Sequence, residues 1–215
     1  MCSANARRYV QSGLIKVLVG EERKEFNVYK GLLAAKSGFF AARLKDDWND
    51  GTNEISLDSE IPYVFASLLD WMFTGKFNMA VEDVEDNITE ISLLYKLADF
   101  LLIAPAKNDL IDLMLLDLKT TDTYYTFGGL RYIWEADGRE TKLFTLALRS
   151  CVKEFMRAKK QKTESSLTEA LNDVPDVMLA ALRSIAEYNC EPWKQVYDQD
   201  RCQYHDHSDG SSCKT

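Results

Sequence analysis

The chain has 215 residues, 46% of them hydrophobic and 28% charged, the balance of a globular protein with room for one full domain and an extension. A formal net charge of −8 disfavours phosphate backbones and anionic lipid, so no nucleic-acid or membrane partner is expected. Apolar runs such as Leu110–Leu118 are short and broken by Asp, too short to span a bilayer, and the N-terminal MCSANARRYV lacks the apolar stretch of an export signal.

Ile15, Val17 and Val19 alternate with Lys16 and Leu18 and predict a strand buried on at least one face. Gly20-Glu21-Glu22 reads as a turn, and Glu25–Tyr29 alternates again as the partner strand of a hairpin. The charge run Glu21–Glu25 is then a solvated turn. Leu32–Ala35 is a short helical turn, after which Ser37 caps a helix running through Phe39, Phe40, Ala41 and Leu44. Asn49–Asn53 is turn text, and Glu54–Leu57 a third short strand. Ser59 is expected to cap a helix with Pro62 in its first turn, its apolar face formed by Val64, Phe65, Leu68, Leu69 and Met72 and its end at Thr74-Gly75. An acidic linker, Val81–Asn87, precedes helices at Ile88–Phe100 and Ala104–Leu118. Their leucines suit an antiparallel pair that closes a core.

The second half is less patterned. Gly128-Gly129 reads as a turn, since the spacing and the Lys-Ser/Thr pair of a phosphate loop are missing. Leu130–Trp134 is apolar, Ala136-Asp137-Gly138 is a turn, and Glu140–Ala158 is a good helix. A short helix begins at Ser165–Leu171, and another runs from about Asp176 to Tyr188 after the break at Asn172–Pro175.

The strand ending in Val19-Gly20, Phe26-x-Val28-x-Lys30, Leu32-Leu33-Ala34-Ala35-Lys36-Ser37-x-Phe39-Phe40, Ile55-x-Leu57, Phe65-x-x-Leu68-Leu69-Asp70-Trp71-Met72-Phe73-Thr74-Gly75 and Tyr95-x-Leu97-Ala98-Asp99 occur in the order found in one family. Over about Gly13–Leu118 the chain resembles the BTB/POZ domain, in phrasing most like the BTB proteins of filamentous fungi. Tyr29 stands where the family usually has His, Gly31 where a polar or acidic residue is common, and Phe73 where Tyr is usual. These swaps keep bulk and change hydrogen bonding.

The resemblance implies an α+β protein of BTB/POZ fold, a small sheet flanked by a cluster of helices, with a helical C-terminal extension. The expected organisation is a flexible N-terminus over 1–12, the domain over 13–118, the extension over 119–197 and a disordered tail over 198–215. Family members bind proteins, through self-association or partner recruitment. The implied partners are the chain itself and a cullin scaffold of a ubiquitin ligase.

Trp48-Asn49-Asp50 stands where cullin-recruiting BTB domains carry a hydrophobic-x-Glu motif, with Asp one methylene shorter than Glu. The alternatives are that Trp48 packs on its own domain or anchors another partner. Phe39 and Phe40 are adjacent on a helix and cannot face the same way. One is expected in the core, and the other either at a self-association surface or packed inside as well. Phe26, Val28, Leu33, Leu68 and Leu69 are the expected core. Asp46, Asp47 and Asp50 read as surface charge, with no nucleophile or metal partner near them in sequence.

Arg149, Lys153, Arg157, Lys159, Lys160 and Lys162 form a basic stretch at the end of an amphipathic helix. It reads as a solvated helix end, with an import signal or acidic-partner patch at Arg157, Lys159, Lys160 and Lys162 as the alternative. Five widely spaced cysteines and no export signal fit reduced thiols in an intracellular protein, cytoplasmic or nuclear. The two histidines, His205 and His207, lie in the tail, so the first two hundred residues lack His-based triads and most His-based metal chemistry. An enzyme is therefore not expected, nor any cofactor. The weak alternative is zinc held by Cys202, His205, His207 and Cys213, four suitable ligands within twelve residues at a spacing unlike a standard finger.

Overall fold

A computed structural model of the chain describes residues 9–45, 53–79, 88–120, 125, 127–160, 174–190, 200–207 and 213. The chain forms two compact units, Met1–Asn78 with Lys96–Ala106, and Met79–Tyr95 with Lys107–Thr215.

The first unit is built on a three-stranded sheet. β1 (Leu14–Val19) lies in the centre, between β2 (Lys24–Tyr29) and β3 (Glu54–Leu57). β1 and β2 form the expected antiparallel hairpin, pairing Leu14 with Tyr29 and Val19 with Lys24. β3 pairs parallel to β1, Lys16 opposite Glu54 and Val19 opposite Leu57. Ile15, Val17, Leu18 and Val19 are all buried, and since successive side chains point to opposite faces, the end of this central strand is covered on both. Lys16 reaches across both neighbours, 3.4 Å from Glu25 and 3.2 Å from Glu54. Bonding to Glu54 and then Glu25 holds its ammonium above the ordinary lysine range. Gly20 turns the chain out of β1 with φ 77°. A Cβ there would stand 3.1 Å from the Pro62 ring and 3.2 Å from the Glu60 carbonyl, so both conformation and space require glycine.

Helices α1 (Lys30–Lys36) and α2 (Gly38–Arg43) follow β2, joined at Ser37. Extended backbone at Ser37 breaks the helix, and its hydroxyl accepts from the Phe40 N–H at 3.1 Å, the expected cap. Helix α3 (Pro62–Thr74) starts differently from the expectation. Its N-cap is Ile61, with no side-chain cap bond, because the turn from Leu57 to Glu60 places Ser59 too early. Pro62 is the first helical residue and Gly75, at φ 72°, ends the helix. Val64, Phe65, Leu68, Trp71 and Met72 form its buried face, while Leu69 is half-buried. Each of the large members contributes about 1.5–3 kcal/mol by leaving water. Phe26 is also half-buried and meets Phe65 edge-on at 5.0 Å.

Helices α4 (Ile88–Phe100) and α5 (Ala104–Thr120) each give residues to both units. The second unit adds α6 (Phe127–Asp137), α7 (Lys142–Lys160) and α8 (Pro175–Cys190), which contact one another. Leu130, Ile133, Phe144, Leu146, Ala147, Val152, Val177 and Ala181 are buried. Gly128-Gly129 lies in the first turn of α6 and not in an inter-helix turn. None of the helices among the described residues is long and apolar enough to cross a membrane.

Residues 200–207 lie within the C-terminal stretch 198–215. Asp200 caps a 3-10 turn over Arg201–Gln203, and Tyr204 and His205 are buried.

Candidate functional site

The first unit carries an exposed apolar face where the α1–α2 junction meets the end of α4. Phe40 points inward and is fully buried, so it is a core residue and drops out as an interface candidate. Phe39, one residue earlier and turned by about 100° on the helix, is half-buried. Its ring lies 5.2 Å from Phe100, which is 48% exposed, and the Arg43 guanidinium lies 5.6 Å over it. Leu102 completes the face at 66% exposure.

The backbone fixes this arrangement. The Ser37 hydroxyl donates to the Leu101 carbonyl at 2.6 Å, and the N–H groups of Phe39 and Gly38 point at the carbonyls of Leu101 and Leu102, at 3.3 and 3.4 Å. Gly38 permits the approach, since a Cβ there would stand 3.1 Å from that of Leu102. Leu102 adopts φ 56°, in the left-handed region that Gly or Asn enters at little cost and leucine does not. A large apolar side chain is thus held in water at the same junction that carries the Phe39–Phe100 ring pair. Such a cluster offers dry contact area to a protein surface.

Trp48, Asp50 and the acidic cluster lie outside the described residues, as does Lys162. Of the remaining basic candidates, Lys159 and Lys160 lie in the last turn of α7. Arg157 pairs with Glu154 on its own helix at 2.7 Å, which partly neutralises the candidate patch. Arg149, earlier on α7, donates to Gln203 at 2.7 Å and stacks over Tyr204 at 5.7 Å. The basic stretch is thus used in part to hold the C-terminal segment.

That segment carries the zinc alternative. Cys202, His207 and Cys213 offer ligand atoms within 4.8 Å of one another. Cys213 Sγ lies 3.5 Å from His207 Nε2 and 3.1 Å from His205 Nδ1, and His205 Nε2 lies 3.0 Å from Asp112 Oδ1 on α5. The bond to the Cys213 thiol, with burial and Asp200 behind it, pushes the Cys202 thiol up to about 11. Burial also raises the Tyr204 phenol, against the pull of Arg149. The segment is anchored by Lys107 pairing with Asp206, by Lys142 donating to the His205 carbonyl, and by two hydrogen bonds, from Asn108 Nδ2 to the Asp206 carbonyl at 2.9 Å and from the Asp206 N–H to Asn108 Oδ1 at 2.6 Å. Residue types and spacing point to the Cys/His cluster in the sequence, but not to Asp112, ninety-three residues from His205. Phe100 and Leu102 are likewise unremarkable as text, since Leu102 is marked only by its backbone angle.

Residues 15–114 match the family model of the BTB/POZ domain. Over these residues the chain has a BTB/POZ fold. Such domains are protein–protein interaction modules and not a family of enzymes. Among solved structures, the BTB (Tramtrack and Bric a brac) domain of human gigaxonin is similar at 23% identity, over 51% of this chain and 83% of that one, with a TM-score of 0.40. No curated protein matches the chain. The BTB/POZ fold here consists of the small three-stranded sheet with its helices, followed by a helical C-terminal region.

Proposed function

We propose that this BTB/POZ protein docks a protein partner on the face formed by Phe39, Phe100 and Leu102, and that it acts as a substrate adaptor of a cullin-type ubiquitin ligase. The observation that carries the docking face is Leu102, a 66% exposed leucine at φ 56°. Leu102 is the left-handed residue that caps α4, with the Ile103 N–H on the Ala98 carbonyl at 2.8 Å and the Leu102 N–H on the Asp99 carbonyl at 3.0 Å, so the helix end fixes the place of the exposed leucine. The cullin contact is assigned to Trp48 and Asp50 on their likeness to the hydrophobic-x-Glu motif. A buried Trp supplies a large, low-entropy anchor, and the carboxylate supplies orientation.

A second reading is a homo-oligomeric scaffold, structural or transcription-related, with no ligase link. It is favoured by the aromatic composition of the Phe39 face, which suits pairing with its own copy around a two-fold axis. The readings separate in one experiment. Tagged protein purified from its own cells, beside a Trp48→Ala, Asp50→Ala double variant, is analysed by mass spectrometry. The adaptor reading expects a cullin with wild type and none with the variant. Recovery of self-copies alone from both supports the scaffold and removes the cullin assignment. We assign the protein to the cytoplasm or nucleus, where such ligases act.

A further inference from the structure

We propose that Cys202, His205, His207 and Cys213 form a structural zinc site that fastens the C-terminal segment against α5 and α7. The spacing is Cys-x2-His-x-His-x5-Cys. Tetrahedral zinc, with Zn–S near about 2.3 Å and Zn–N near about 2.0 Å, sets neighbouring donor atoms about 3.3–3.8 Å apart. The 3.5 Å between Cys213 Sγ and His207 Nε2 falls in that range, and the 3.1 Å between Cys213 Sγ and His205 Nδ1 lies just under it. Cys202, His207 and Cys213 supply three corners. His205 Nδ1 lies 3.1 Å from Cys213 but outside the trio whose donors stand within 4.8 Å of one another, and it takes the fourth corner as the segment closes around the ion.

Asp112 gives an independent reason to read this as a ligand set. An ionised carboxylate only accepts, so its 3.0 Å contact requires the proton of His205 to sit on Nε2. The lone pair of Nδ1 is thereby turned toward the cluster. Carboxylate, imidazole and metal in series is the usual way a protein orients a ligating histidine. His205 is 5% exposed, so its ring is held in place and does not sample solvent. Two thiolates would balance the charge of a divalent ion, and the thiolate–imidazole set selects zinc over the harder magnesium and calcium. The scaffold around the ligands is braced as well. Asp200 accepts from the Cys202 N–H at 2.9 Å, and Lys107, Asn108 and Lys142 fix His205 and Asp206.

The test uses the full chain, made with zinc in the medium and purified under reducing conditions without a metal-affinity tag. Metal content is read by inductively coupled plasma mass spectrometry after dialysis. About one zinc per chain is expected. Cys202→Ser, Cys213→Ser, His205→Ala and His207→Ala should each bring it near zero, while Cys2→Ser keeps it. Asp112→Ala should weaken zinc retention by about 10- to 100-fold in competition with a chelator. Cobalt(II) exchanged into the wild-type chain reads the geometry without any variant, through the intense visible bands and thiolate charge transfer of a tetrahedral site. A wild-type chain that retains no zinc, a cobalt spectrum without thiolate charge transfer, or a Cys202–Cys213 disulfide formed despite supplied zinc would overturn the proposal.

Discussion

The Ser37 junction and the Asp200–His207 segment are both held by contacts between residues far apart in sequence, but by different forces. At Ser37 the contacts organise apolar bulk. Phe40 and Leu33 are buried, Phe39 stacks on Phe100, and one hydroxyl serves both helix α2 and the Leu101 carbonyl. At Asp200–His207 Tyr204 is fully buried, but the residues around it are fixed by polar or charged anchors, from Lys107, Asn108, Asp112, Lys142 and Arg149. Apolar burial is non-directional and tolerates small shifts, whereas a polar clamp works only when each donor meets its acceptor. The first region can therefore present a variable outer surface over a fixed interior. The second has little freedom, as a ligand-bearing segment requires.

Phe40 supports the fixed interior of the Ser37 region. Phe40→Ala should lower unfolding free energy by about 3–5 kcal/mol, because a fully buried ring leaves a cavity. Urea denaturation measures it, and a loss under 1 kcal/mol would mean the interior is not fixed. Lys107→Ala tests the polar clamp. It removes the Lys107–Asp206 ion pair and should cost about 2 kcal/mol, less than a fully buried pair because Asp206 is part-exposed. The same variant should raise hydrogen exchange at residues 200–207 and leave the Ser37 junction unchanged. Ser37→Ala removes a cap and the bond to Leu101, for about 1–2 kcal/mol.

Burial raises the Glu60 carboxyl above its ordinary range, against the pull of Lys96. A folded-state pKa above the unfolded one favours folding at low pH, and that advantage is lost as pH rises through the folded value. Glu60→Gln should therefore raise the melting temperature slightly at pH 7. The gain should fade as pH drops below the ordinary carboxylate range. A gain that is unchanged at low pH would show that charge is not its cause.

These differences also explain what the sequence made legible. The sequence pattern locates β1 and β2 by alternation, the Ser37 cap by residue type and most of the buried face of α3 by helical spacing, since each depends on neighbours in the chain. It missed the Ile61 cap, because the tight Leu57–Glu60 turn is a backbone event that Ser59 does not announce. It placed Leu69 in the core and left out Trp71, a rotation of the face that depends on what α3 packs against. The Cys/His cluster was visible as text. Its fixation was not, because bonds to Lys107 and Asp112 bridge more than ninety residues and leave no periodic trace.

The most direct test of the docking face is Leu102→Asn. Asn enters the left-handed region readily, so the variant should be as stable as wild type or up to about 1 kcal/mol more stable. It should nevertheless lose its partner, whether a second copy in sedimentation velocity or a co-purified protein. A folded Leu102→Asn chain that recovers the same partners in the same amounts would contradict the account.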